Sequence, residues 1–458
     1  MPKKLIALTN IFLLLFALLA QPAQAIQQQQ LRKLVLTNVT VIDATGAPAA
    51  RDMTIVISGG RITRIGRTNR VRAPRGAQVI DASGKFLIPG LWDMHVHLSF
   101  YADTKQPPFT AFPALIANGV TGVRDVGGNL EQIDKWRKEI ADGTLIGPRI
   151  FRAGPFVDGP KKMNESRASR TIVVNNAEEA RAAVRNLKQR GVDYIKVHNG
   201  ISHDAYLALA DECRKQGVPL ATHLPRSVRI AEASDAGTHS IEHIEMLTET
   251  IAFDVAAGEK PKDPLVALAE LTDEKANALF ARFAKNKTWY TPTLVAYYTF
   301  LQEAEENVVK DPVRWKGGLE GRRKLFNRFK QFVGMMQRAG VGILAATDFS
   351  SKSGVHPYPV PQPGTDLHQE LAFFVEAGMT PMQALQTATR NPAIYLNQLK
   401  SLGTIEEGKI ADLVLLEANP LENIVNTRRI AAVIINGRFI PKQSLQSMLA
   451  GNNAASGN

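Results

Sequence analysis

The spacing of apolar and polar residues changes along the chain, and each texture predicts a different architecture. From Leu34 to Ile88, short β-branched runs alternate with turn residues. Leu34–Asp43, Met53–Ile57 and Arg61–Ile65 read as strands, and Ser58-Gly59-Gly60 is a hairpin signal between the last two. Gln78–Asp81 and Lys85–Ile88 continue the pattern. From Pro89 to about residue 398, short apolar strands alternate with helical stretches such as Ala177–Arg190 and Ser202–Gln216. The strand candidates are Leu91–His97, Gly122–Val126, Arg149–Ala153, Tyr194–Val197, Pro219–His223, Ser240–His243, Thr288–Leu294 and Gly342–Asp348. That number of βα units predicts an α/β fold of the (β/α)8 TIM barrel type, with a doubly wound open sheet as its rival. Strands return at Ile410–Glu417 and Ile430–Ile435. Both chain ends are therefore expected to build one small composite β-sandwich flanking the barrel. The expected segments are 31–88 and 399–442 for the sandwich, 89–398 for the barrel and 443–458 for a flexible tail.

The N-terminus adds an address. Lys3 and Lys4 precede an unbroken apolar run, Ile11–Ala20, and Ala23-Gln24-Ala25 fits a small-residue cleavage site. The run is shorter than the roughly 20 residues of a membrane span. Residues 1–25 are thus expected to be a signal peptide, leaving a periplasmic or secreted protein without a stable membrane anchor. Its single cysteine, Cys213, permits no internal disulfide.

Composition changes little. Of 458 residues, 45% are hydrophobic and 21% charged, which excludes a mostly disordered chain. The net charge of +12 raises the question of nucleic acid. The basic residues are dispersed, however, and the densest patch, 319–331, carries Leu325, Phe326 and Phe329 at helical spacing, as a core-facing helix does. With no phosphate loop and no Cys/His finger spacing, no nucleic-acid partner is expected.

Ionisable residues stand where apolar strands end. His95 and His97 close the first barrel strand, and side chains two apart on a strand point the same way. Lys196 ends the fourth strand, His223 the fifth, His243 the sixth and Asp348 the eighth. Each alone reads as a packed or solvated strand-end residue. A barrel, however, gathers the carboxyl ends of its strands on one face, where its enzymes keep their chemistry. Desolvating these groups together is costly, and a divalent metal resolves the conflict, because imidazole and carboxylate are its usual ligands.

With these residues the sequence resembles the metal-dependent amidohydrolase superfamily. Pro89-Gly90-Leu91-Trp92-Asp93-Met94-His95-Val96-His97 is similar to its first-strand motif, and the likeness continues through Gly378–Leu385, Ala388-Thr389 and Gly408–Leu413. Within the superfamily it is most similar to the imidazolonepropionase-like branch that includes exported prolidase-type dipeptidases. The resemblance implies two divalent metals, zinc first among them, and a CO2-derived carbamate on Lys196 (N6-carboxylysine). One metal would sit on His95, His97, Lys196 and Asp348, the other on Lys196, His223 and His243. A metal-bridging hydroxide would attack the carbonyl, and Asp348 would carry the catalytic proton. The implied reaction is hydrolysis of an amide or peptide bond in a dipeptide or N-acyl amino acid. Esters, lactones or carbamates are the alternative substrates, and a non-catalytic binding protein on the same frame is the alternative class. One departure stands out: where many branch members carry Gly-Gly-His after strand three, this chain has Arg152-Ala153-Gly154-Pro155-Phe156-Val157-Asp158-Gly159.

Substrate contacts belong to the loops after the strands. Arg226 and Arg229 follow His223 and are candidates for a substrate carboxylate, while His198 and His356 are candidates at the site mouth. Surface placement is expected for His203, packing or a supporting bond for His239 and a supporting bond near the site for His368. The oligomeric state stays open, a homo-oligomer among the alternatives.

Overall fold

The computed structural model of the chain describes residues 33–99, 111–160, 170–248, 270–310, 312–350 and 362–455. The expected signal peptide and His356 lie outside these residues.

The chain opens with β1 (Leu34–Val41), β2 (Ala50–Ser58), β3 (Arg61–Arg67), β4 (Gln78–Asp81) and β5 (Phe86–Pro89). The first three form an antiparallel meander. Gly59-Gly60 turns the chain between β2 and β3 with positive φ at both residues, and a Cβ on Gly60 would stand 3.0 Å from the Asn436 carbonyl oxygen. Both β4 and β5 add to β1 in parallel.

The middle of the chain is α/β. Its strands are β6 (Leu91–His97), β7 (Val120–Asp125), β8 (Arg149–Arg152), β9 (Phe156–Asp158), β10 (Thr171–Val173), β11 (Ile195–Val197), β12 (Leu220–His223), β13 (Ser240–Glu242), β14 (Trp289–Thr291) and β15 (Phe349–Ser350). All pair in parallel and form two arcs, β15-β6-β7-β8 and β10-β9-β11-β12-β13-β14. Helices alternate with them. Several start where a side chain caps the first turn: Asn129, Asn176, Ser202 and Thr272 each accept a backbone N–H three residues on.

Three sequence expectations need correction here. The stretch Gly342–Asp348 forms no ladder; it makes an isolated bridge, Ile343 to Tyr290, and accepts from the Met94 N–H at Ala345. The third-strand loop holds an unforeseen strand, β9, whose Phe156, Val157 and Asp158 are all buried. Residues 442–455 form a helix rather than a flexible tail, because Leu445, and Met448 one turn on, pack into the main hydrophobic core.

The C-terminal strands β16 (Leu413–Leu416), β17 (Ile430–Ile435) and β18 (Arg438–Pro441) return to the first sheet, β16 pairing antiparallel with β5. Both chain ends thus make one eight-stranded sheet, not two separate hydrogen-bonded ones. Its apolar runs bury both faces by simple alternation. Leu413, Leu415, Ala432 and Ile434 join Leu34, Leu36, Ile55 and Ile57 in one cluster. Val414, Leu416, Val433 and Ile435 join the α/β core instead.

Candidate metal centre

His95 and His97, alternate residues of β6, face the same way, with ring centroids 5.4 Å apart. Asp348 stands against both: its Oδ1 lies 3.3 Å from His95 Nε2 and 3.4 Å from His97 Nε2. His243 follows β13 directly, its Nδ1 4.0 Å from Asp348 Oδ2 and its ring 4.5 Å from that of His95. One ligand atom from each of His95, His243 and Asp348 falls within 4.8 Å of the others, a group able to hold a metal ion. His223 ends β12, its ring 5.0 Å from His243. The imidazoles expected on separate metals therefore lie close enough to share one carboxylate.

Two of these positions are left-handed. His243 (φ 70) and Asp348 (φ 58) adopt a conformation uncommon outside glycine, which histidine and aspartate take more readily than most side chains. Tertiary bonds hold it in place: the Asp348 N–H donates to the His95 carbonyl at 2.9 Å and the His243 N–H to the Thr291 carbonyl at 2.8 Å.

Lys196, the middle residue of β11, is 1% exposed. Its amine has no hydrogen-bond partner among the described residues. Burial brings its pKa down to about 8. Burial also lowers His243 to about 4 and holds His95 and His223 well below the ordinary imidazole value. Asp348 goes the other way: against burial, the neighbouring imidazoles, His243 foremost, hold its carboxyl below the usual range. Neutral imidazoles, an ionised carboxylate and an unprovided amine are the donor set a divalent cation needs.

The loop candidates divide. His198 reaches the cluster, stacked on His223 at 4.5 Å with its Nδ1 3.4 Å from Asp158 Oδ2. Arg226 and Arg229 are exposed on the segment after β12. His203 pairs with Glu232 at the surface and His239 packs on Tyr395. His368 bonds Thr427 through Nδ1, which ties its helix to the C-terminal segment rather than to the cluster.

Sequence reasoning passed over the layer that holds the cluster. Glu242 Oε2 lies 2.8 Å from His95 Nδ1 and 2.6 Å from Arg124 Nη2, all three side chains being buried. Against burial, Arg124 holds the Glu242 carboxyl well below its ordinary range. Asp93 accepts from the Thr347 N–H and hydroxyl, fixing the residue before Asp348. A signal was available: Arg124 stands in Val120–Asp125, a strand with every residue buried, and a charge in such a strand requires a partner.

A family model for the amidohydrolase family matches residues 86–440. The chain belongs to the amidohydrolase family. Ochratoxinase from Aspergillus niger is 26% identical over 392 residues, covering 74% of this chain and 71% of that enzyme. Imidazolonepropionase from Idiomarina loihiensis is 24% identical, covering 82% of this chain and 88% of the relative. A crystal structure of a Xaa-Pro dipeptidase shares the fold, with a TM-score of 0.63 at 24% identity over 89% of this chain and 100% of the other. This amidohydrolase is accordingly a hydrolase acting on C–N bonds, from a family that is generally metal-dependent.

Proposed function

We propose that the protein is an exported binuclear metallohydrolase that cleaves the amide or peptide bond of a small substrate, of the dipeptide or N-acyl amino acid class. The observation that carries this reading is the meeting of His95, His97 and His243 at Asp348, in electrostatic reach of a buried amine without a hydrogen-bond partner among the described residues. His95, His97 and Asp348 would hold one cation and His223 and His243 the other. Lys196, as its carbamate, would join both sets, and a pKa near 8 supports this because carbon dioxide adds to the neutral amine. Zinc suits these donors. Two such ions supply water activated at neutral pH and an electrophilic pull on the carbonyl. Asp348 is placed to take the proton of the attacking water and return it to the leaving amine. His198 and the exposed Arg226 and Arg229 would meet the part of the substrate away from the scissile bond.

The two strand arcs are read as one (β/α)8 barrel. Backbone bonds at both gaps support this: Met94 N–H to Ala345 and Leu344 N–H to Tyr290 at one, Asp193 N–H to Arg152 at the other. The charged start, apolar run and Ala-Gln-Ala site of residues 1–25 support export to the periplasm or beyond.

The test is a screen of dipeptides, N-acyl amino acids and aryl esters with protein stripped of metal and reloaded with zinc, alongside metal analysis. Amide hydrolysis that rises with metal content is expected. Failure to take up any divalent ion overturns the metal reading, and turnover of esters alone moves the substrate class.

A further inference from the structure

An ion pair lies beneath the imidazoles, and its bonds reach four separate elements. Arg124 donates from Nε to the Met94 carbonyl at 2.5 Å, from Nη1 to Ser240 Oγ at 3.1 Å and Tyr395 OH at 2.8 Å, and from Nη2 to Thr291 Oγ1 at 3.3 Å and Glu242 Oε2 at 2.6 Å. The rings of Tyr194 and Tyr395 lie 5.5 and 5.0 Å from its guanidinium carbon. Glu242 Oε1 accepts from the Ser240 hydroxyl. A buried pair of this kind is a weak source of stability, and apolar residues of similar volume often replace one without loss. Its place here calls for another account.

That account is what Glu242 does to His95. A carboxylate paired with arginine only accepts hydrogen bonds. The hydrogen of the His95–Glu242 contact therefore sits on His95 Nδ1, and Nε2, 3.3 Å from Asp348 Oδ1, keeps its lone pair. A neutral histidine side chain in water favours the opposite, Nε2–H tautomer. We infer that Glu242, held in place by Arg124, is a positioning residue that locks His95 as the Nδ1–H tautomer and so aims the Nε2 lone pair at the metal. The inference rests on the metal-dependent reading above and adds to it the residue that prepares the first ligand before any ion arrives. Asp348 meets His95 at Nε2 and Glu242 meets it at Nδ1, so among the described residues Glu242 is the acceptor at Nδ1.

The test reads the tautomer directly. Long-range 1H–15N spectra of histidine-labelled, metal-free protein at pH 8, with His95 assigned by difference against His95→Asn, should give a protonated Nδ1 and a bare Nε2. The double variant Arg124→Met/Glu242→Leu removes the pair without leaving a lone buried charge. It should keep the fold, show mixed tautomers and bind zinc about 10–100-fold more weakly. Glu242→Gln keeps an acceptor at the Oε2 position, with its amide N–H2 turned to Ser240, and should retain the wild-type tautomer. A wild-type His95 protonated on Nε2 overturns the inference, and so does a double variant with wild-type tautomer and zinc affinity. If the double variant does not fold, the wild-type and Glu242→Gln spectra decide. Wild-type protein that binds no zinc sinks the functional reading instead, while the same metal-free spectrum still rules on the lock.

Discussion

The terminal sheet and the interior of the α/β unit are both buried, yet they are built from opposite materials. The sheet cluster is wholly apolar, from Leu34 and Leu36 to Leu413 and Ile434. The interior behind the imidazoles holds Asp93, Arg124, Lys196 and Glu242, all within 1% exposure. Apolar packing contributes stability in proportion to the area removed from water. Buried ionic groups contribute little and are expensive when unpaired. The contrast teaches a division of labour: one region holds the molecule together, and the other holds charged groups in places they would not choose. Variants that separate stability from activity test it.

The sharpest is Lys196→Met. If the buried amine exists for chemistry alone, losing it removes the proposed carbamate and the hold it would have on the metals, and kcat/KM falls by at least about 10³-fold, since cation chemistry supplies several kcal/mol. Stability should move the other way. The amine has no partner among the described residues, so the metal-free variant should gain about 1–3 kcal/mol in urea unfolding. A loss of stability together with activity would break the comparison.

Leu413→Ala is the mirror experiment. Leu413 is 1% exposed in the apolar sheet cluster, and truncation there costs about 2–5 kcal/mol. The kcat/KM of the folded fraction should stay at the wild-type value.

The two regions were also unequally legible in the sequence. Alternation and β-branching mark the strands of the sheet, because each side chain there answers only to its neighbours. Its union across the whole chain, β16 against β5, was legible as shared texture but not as register. At the cluster, the ends of β6 and β12 carry His97 and His223 as the apolar runs imply, since strand ends mark themselves by the arrival of a polar residue, whereas Lys196 stands one residue inside the end of β11. Arg124 was marked as a charge inside an apolar strand, but its partner Glu242 was hidden, because their contact spans 118 residues and no local pattern records it. His243 and Asp348 read as strand ends, but His243 sits just past β13 and Asp348 just before β15, both left-handed, a conformation held by tertiary bonds. The helix 442–455 was missed because Leu445 and Met448, in a largely polar segment, show their packing only once the core exists.

Acid should sharpen the comparison further. His243 titrates at about 4 when folded, against about 6.5 for an unperturbed imidazole. The unfolded chain therefore takes up its proton first, and stability present above pH 6.5 is lost as pH falls toward 4. Across that window each pH unit removes about 1.4 kcal/mol, so metal-free protein should lose roughly 3 kcal/mol through this group. His95 and His223, lowered in the same direction, add to it. Unfolding midpoints measured at pH 7 and pH 4 check the slope. Leu413→Ala should keep it, whereas His243→Asn should flatten it.

The smallest effect belongs to two arginines that share a residue type with Arg124 and little else. Arg226 and Arg229 are exposed, and the Arg226 backbone is tied to Asn199, in the loop after β11, at 3.3 Å. A guanidinium in water is screened, and a contact it makes to a substrate carboxylate is worth about 0.2–1 kcal/mol. Replacing either with alanine should raise KM for a carboxylate-bearing substrate by no more than about fivefold and leave kcat alone, as loss of uniform binding does. The amidated form of the same substrate should show no change. Equal shifts for both substrates would remove these arginines from recognition. A kcat effect would mean that the exposed rim, like the buried interior, shapes the reacting geometry, and the contrast between the two would then stop at the imidazoles.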